Sequence, residues 1–132
     1  VEIAAGDGTL SRFLRSEGVD VLATDDRSWD SVLEHPQDVL RESASRTLGR
    51  LSPTVVICSW PPPGNRFERI VFETSSVELY IVIGSRQESA SGDWDTYRTR
   101  TAWEMTTDEH LSARVLPPEN SGAVHVFRRC RP

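Results

Sequence analysis

The sequence predicts a single α/β domain on an open, doubly wound sheet, mostly parallel and ending in a C-terminal antiparallel hairpin. Three observations carry this. Apolar, β-branched runs alternate with segments of helical spacing along most of the chain. A strand, a glycine turn and a helix stand at its very start. The last two strand-like runs lie close together with little helix between them. At 132 residues the chain is long enough for one hydrophobic core, and residues 1–132 read as one domain.

The opening segment from Val1 to Ser11 reads as a buried strand running through Gly6-Asp7-Gly8 into a helix. Such a turn brings backbone N–H groups close to a ligand. Glu2 places a carboxylate inside the strand, which suits a cationic ligand better than a dinucleotide phosphate. Thr9 to Glu17 carries Leu10, Phe13 and Leu14 at helical spacing, and Gly18 stops the helix. Val19 to Thr24 reads as the second strand and ends at Asp25-Asp26. An acidic residue roughly 20 residues beyond the glycines is where nucleoside-binding sheets place a carboxylate for ribose hydroxyls. A nicotinamide site would want Gly-x-Gly-x-x-Gly, whereas Ser11 stands at the third position.

Arg27 to Asp38 reads as a loop, and Val39-Leu40 as a short third strand ending near Glu42-Ser43. Ala44 to Leu51 is a helix closed by Ser52-Pro53. Thr54 to Ser59 is a continuous apolar run, expected of a central parallel strand. It leads into Trp60-Pro61-Pro62-Pro63-Gly64-Asn65, a rigid turn placed at the mouth of a ligand site. Arg66 to Thr74 is a helix with Phe67, Ile70 and Val71 on one face, and Val77 to Ile83 is the fifth strand. Gln87 to Asp95 reads as a loop, with Trp94, Tyr97 and Trp103 as further aromatics for the mouth. Ala102 to Met105 is the sixth strand and Ala123 to Arg128 the last.

The acidic-x-Ala-x-Gly-x-Gly pattern of Glu2, Ala4, Gly6 and Gly8 resembles the first motif of class I S-adenosylmethionine (SAM) dependent methyltransferases, with Ala4 in place of the first glycine. The resemblance implies a Rossmann-like sheet of order 3-2-1-4-5-7-6 and SAM as cofactor. It implies cofactor contacts from Glu2, Ala4, Gly6, Gly8, Asp25, Asp26, Ser59 and Trp60, and an adenine contact from Glu42 or Ser43. Ser59-Trp60-Pro61-Pro62 is similar to the fourth motif of amino-group methyltransferases, with Trp60 inserted before the prolines and Pro63 where an aromatic usually stands. Pro61, Pro62, Arg86 and Trp94 are candidate substrate contacts, and Asp93 a further one. The acceptor would be an N or O atom of a small molecule or peptide.

Other readings of the same residues stand beside these. Glu2 can bond nearby backbone N–H groups at a strand end, and one of Asp25 and Asp26 can cap a helical turn. Trp60 can be core packing. His35 and His110, in polar segments, are candidates for proton removal, whereas His125 inside a strand reads as structural. A catalytically inactive scaffold or regulatory subunit, or a SAM-using enzyme that does not methylate, would show the same fold.

Composition limits the partners. All fifteen basic residues are Arg, against twenty acidic ones, and the net charge of -5 disfavours nucleic acid. The Arg128-Arg129-Arg131 cluster reads as a solvated tail. Cys58 and Cys130 have no companions at zinc spacing, so no metal is expected and a reducing cytoplasm is the simplest setting. No apolar stretch approaches the length of a membrane span. The chain opens inside its first strand, so N-terminal cover helices are expected to be missing and a homo- or hetero-oligomer to cover the exposed sheet face.

Overall fold

The computed structural model describes residues 1–29, 32 and 34–130. Its strands form two hydrogen-bonded groups. β1 (Ala23–Asp25) pairs in parallel with β2 (Val39–Arg41), while β3 (Val55–Ser59), β4 (Leu79–Ser85), β6 (Gly122–Arg129) and β5 (Trp103–Thr107) lie side by side in that order. β3 and β4 are parallel; β4 with β6 and β5 with β6 are antiparallel. The four-stranded group is therefore mixed.

The opening segment joins the two groups. Glu2 N–H donates to the Leu22 carbonyl at 2.8 Å and Ile3 N–H to the Ile57 carbonyl at 3.0 Å; Thr24 and Ile57 donate back to Glu2 and Val1. Glu2 is thus bridged in parallel to Ala23 on one side and to Ile57 on the other. The expected first strand is reduced to this one bridging residue, because the chain turns at once into left-handed Ala4 and Gly6.

Among the described residues, five α-helices connect and cover the strands: α1 (Thr9–Ser16), α2 (Ala44–Leu51), α3 (Glu68–Glu73), α4 (Trp94–Thr99) and α5 (Glu109–Ser112). Ser43 caps α2, Asp93 caps α4 and Asp108 caps α5, each side chain accepting a bond from the first helical turn. α4 lies where the sequence predicts a loop running to Asp95. Asp93 starts it, and Tyr97 is drawn into the core.

That core is aromatic at its centre. The Phe72 ring meets Tyr80, Trp103 and Phe127 edge-on at centroid distances of 5.6, 5.3 and 5.2 Å. Arg129 closes it from outside. Its guanidinium lies 4.4 Å from the Trp103 ring centroid and donates to the Val77 and Thr74 carbonyls, both at 2.7 Å. Of the basic cluster read as a solvated tail, only Arg128 is exposed; Arg129 is half-buried structure, and Arg131 lies outside the described residues. Among the described residues, no helix is long and apolar enough to cross a membrane.

Glu2 is 1% exposed, and its carboxylate accepts the Ser11 hydroxyl of α1. Burial pushes its pKa above the ordinary 4.5, with the Ser11 bond and Arg15 pulling back. The folded chain therefore holds that proton more tightly than the unfolded chain, and the stabilisation is full below about 4.5 and lost as pH rises through the folded pKa. Glu2→Gln removes the ionisation. The stability of the wild type minus that of the variant is expected to fall as pH rises from 4.5 towards neutrality in urea unfolding. A difference that rises with pH would contradict this burial.

Candidate functional site

The carboxyl ends of the opening segment, β1, β2 and β3 surround a cleft of about 500 Å³, within the usual range of ligand pockets. Ala4 and Gly6 come from the first turn, Asp25 and Asp26 from the end of β1, and Ser28, Trp29 and His35 from the loop that follows. Glu42 and Ala44 lie beyond β2. Ser59, Trp60, Pro62, Pro63, Gly64, Asn65 and Phe67 come from the segment beyond β3. Open α/β sheets place their ligands at this edge.

The acidic wall is built on Gly6. Its N–H donates to Asp25 Oδ2 at 2.9 Å, while Asp25 Oδ1 accepts the Arg27 N–H at 2.6 Å. A carboxylate offers about four lone-pair positions, so Asp25 keeps accepting capacity after both bonds. Asp26 instead closes a local turn: its Oδ1 accepts from the Ser28 N–H at 2.9 Å and the Ser28 hydroxyl at 2.6 Å. Each aspartate accepts a local backbone N–H, Asp25 from Arg27 and Asp26 from Ser28, and Asp25 is in addition tied to the Gly6 turn.

Glu42 lines the cleft but is committed elsewhere. Its Oε1 accepts from Arg50 Nε at 3.1 Å, its Oε2 from Arg50 Nη2 and the Thr47 hydroxyl, both at 2.9 Å, and Arg46 Nε stands 3.3 Å from Oε1. The Arg50 fork holds its carboxyl below the ordinary range. Ser43 is exposed and spent on the α2 cap, outside the cleft wall.

The apolar end is the proline turn. Trp60 adopts a left-handed φ of 51°, rare for a bulky residue, held by its N–H bond to the Ile83 carbonyl at 2.6 Å. Its ring is 37% exposed on the cleft wall. Pro62 and Pro63 stand beside it, whereas Pro61 is buried and gives its carbonyl to the Gly92 N–H.

Behind this turn lies Glu68, fully buried on α3. Its Oε1 accepts the Tyr80 and Tyr97 hydroxyls at 2.6 and 2.5 Å; its Oε2 accepts Asn65 Nδ2 and the Asp93 N–H at 2.6 and 2.9 Å. Burial raises its pKa and these four bonds pull it back. Gly92 ties the same turn at two points, its carbonyl accepting the Gly64 N–H and its N–H donating to the Pro61 carbonyl, at 3.0 Å each. The sequence reading missed both Asn65 and Glu68. An Asn-x-x-Glu spacing at a helix start was the available signal.

The remaining candidates lie elsewhere. The Glu2 carboxylate is turned onto Ser11 beneath the turn and does not reach the cleft wall. Gly8 is also outside it: a φ of 75° and Val39 Cγ2, 2.5 Å from where a Cβ would stand, make glycine necessary there for packing. Arg86 pairs with Glu109, and Trp94 packs edge-on against His125 while its indole N–H donates to the Ser91 carbonyl. Asp93 is the α4 cap and His110 bonds Arg114. His125 is enclosed between Thr107 and the Ser85 carbonyl, and burial lowers its pKa. Among the described residues, no group of three or more His, Cys, Asp or Glu is placed to hold a metal ion.

No protein-family model matches the chain, and no curated protein does. Among solved structures, a crystal structure of a triple-alanine mutant of Spodoptera frugiperda DNMT2 matches with a TM-score of 0.58 and 10% sequence identity, over 98% of this chain and 49% of that one. This chain therefore spans about half the length of that protein. The likeness shows the fold: a methyltransferase-type α/β fold with a mixed sheet.

Gly8→Ala is expected to cost about 1–3 kcal/mol in urea unfolding, from left-handed strain and the Val39 clash. Adding Val39→Ala should restore part of that loss. Costs that simply add would rule out the clash as the cause.

Proposed function

We propose that this chain binds SAM in the cleft and delivers its methyl group to an N or O atom of a small molecule or peptide. The observation that carries the reading is the Asp25 carboxylate, tied to the Gly6 turn with accepting capacity left towards a cleft of cofactor size. The methyltransferase-type fold supports it. Counting the Glu2 bridges as a strand reads the two groups as β2-β1-Glu2-β3-β4-β6-β5, which supports the order 3-2-1-4-5-7-6 with the cleft at its switch point.

The donor set fits the cofactor. Asp25 accepts from the ribose hydroxyls, and the carboxylates of Asp25 and Asp26 set a negative field that favours a cation. No Arg lines the cleft among the described residues. Ser59 and Trp60 stand at the end of the central strand, where the methionine part would pass, and Trp60, Pro62, Pro63 and Phe67 keep water from that side. Bound there, SAM supplies an electrophilic methyl that a neutral lone pair takes without general-acid help, so positioning is the chain's main contribution. A thiol nucleophile has no place in this reading. Cys58 is buried in β3 with its pKa pushed up by burial, and Cys130 lies beyond β6. A second subunit covering the sheet, and a cytoplasmic setting, belong to the same proposal.

Calorimetric titration with SAM and S-adenosylhomocysteine tests it. Asp25→Ala is expected to weaken both about 10- to 100-fold, the loss of bonds to a charged acceptor. Gly6→Val, which forces a side chain onto a left-handed φ of 57° at the cleft wall, should weaken them as well. Unchanged affinity in Asp25→Ala would contradict the site.

A further inference from the structure

The Gly6 peptide group is bonded on both sides. Its N–H goes to Asp25, and its carbonyl lies 3.1 Å from His35 Nδ1. A carbonyl can only accept, so Nδ1 carries the hydrogen. In the neutral ring Nε2 then presents a lone pair. That atom is shielded from solvent and has no hydrogen-bond partner among the described residues, although His35 lines the cleft. Buried polar atoms are rarely left in that state without a reason.

Asp25 and His35 are therefore mounted on one glycine, and both residues line the same cleft. A phosphate or carboxylate placed between them would set acceptor against acceptor. A ligand group that suits them brings two hydrogens on neighbouring atoms, as a vicinal diol does.

We propose that His35 is a second ligand-holding residue, its Nε2 accepting one hydroxyl hydrogen of the cofactor's ribose diol while Asp25 accepts the other. This rests on the SAM reading of the cleft. It gives His35 a binding role in place of the proton removal considered from the sequence. The loop after β1 thereby gains a reason to fold over the turn at Gly6.

His35→Asn is the discriminating variant. Its amide N–H can keep the bond to the Gly6 carbonyl, but it has nothing at the Nε2 position. In titrations of the full chain, His35→Asn and His35→Ala are both expected to bind S-adenosylhomocysteine about three- to tenfold more weakly than the wild type. One of the 2′-deoxy and 3′-deoxy analogues of that ligand should lose affinity against the wild type and lose no more against His35→Asn, since the same bond is already gone. Wild-type affinity in His35→Asn, with Asp25→Ala still weakened, would overturn the role of Nε2 and leave the cofactor site standing. If the folded wild type binds neither SAM nor S-adenosylhomocysteine, the cofactor reading fails and this role with it.

Discussion

The rim of the cleft depends on one buried carboxylate. Glu68 takes four hydrogen bonds from three separate stretches of chain: Asn65 in the proline turn, Tyr80 in β4, and Asp93 and Tyr97 at the start of and within α4. An unpaired charge in that position would be costly, whereas one whose lone pairs are all filled is tolerated and rigidifies what surrounds it. Two of the donors, the Asn65 amide and the Asp93 N–H, can only donate, so the carboxyl must accept on that side. Its cost of burial is fully offset only when all three stretches are in place. The carboxylate therefore ties the proline turn, β4 and α4 to one another.

The cleft has two unlike walls for a physical reason. One is acidic, because the Gly6 turn and the end of β1 converge on Asp25 through backbone N–H groups. The other is apolar, because the chain leaves β3 through a left-handed Trp60 into three prolines. Ala4 and Trp60 both carry positive φ at the ends of neighbouring parallel strands. Strain of that kind persists where the surroundings over-determine it. Here the bond from Trp60 to Ile83 and the Gly64–Gly92 pair supply that restraint.

Much of the fold was legible because period and turn chemistry agree over long stretches. α2 falls on Ala44–Leu51, where Ser43 caps it, and β3 and β6 lie within a residue of the apolar runs that announce them. α4 was not legible. Its residues are polar and aromatic without a clear stripe, and tertiary contacts of Tyr97 with Glu68 and the core decide its conformation. In the site, Asp25, Gly6, Ser59 and Trp60 follow from the rule that ligands sit at strand ends. The direction of a side chain does not follow from that rule. Glu2 turns onto Ser11, Glu42 is consumed by Arg50, and Trp94 goes to the core rather than the mouth, because in each case a partner on another element competes successfully for the group. Arg129 was misread for the same reason, since its partners Val77 and Thr74 lie more than fifty residues away.

The most direct test of the Glu68 clamp is amide hydrogen exchange at Gly64, Gly92 and Asp93 in Glu68→Met beside the wild type. Methionine has about the same length but no carboxylate oxygen, so the Asn65 amide and the Asp93 N–H lose their acceptor. Relative to amides in β4 and β6, protection at those three positions is expected to fall about tenfold or more, the consequence of losing a bond to a charged group next to the rim. The same relative protection in both proteins would mean that the rim holds its shape without the carboxylate, and would contradict the account.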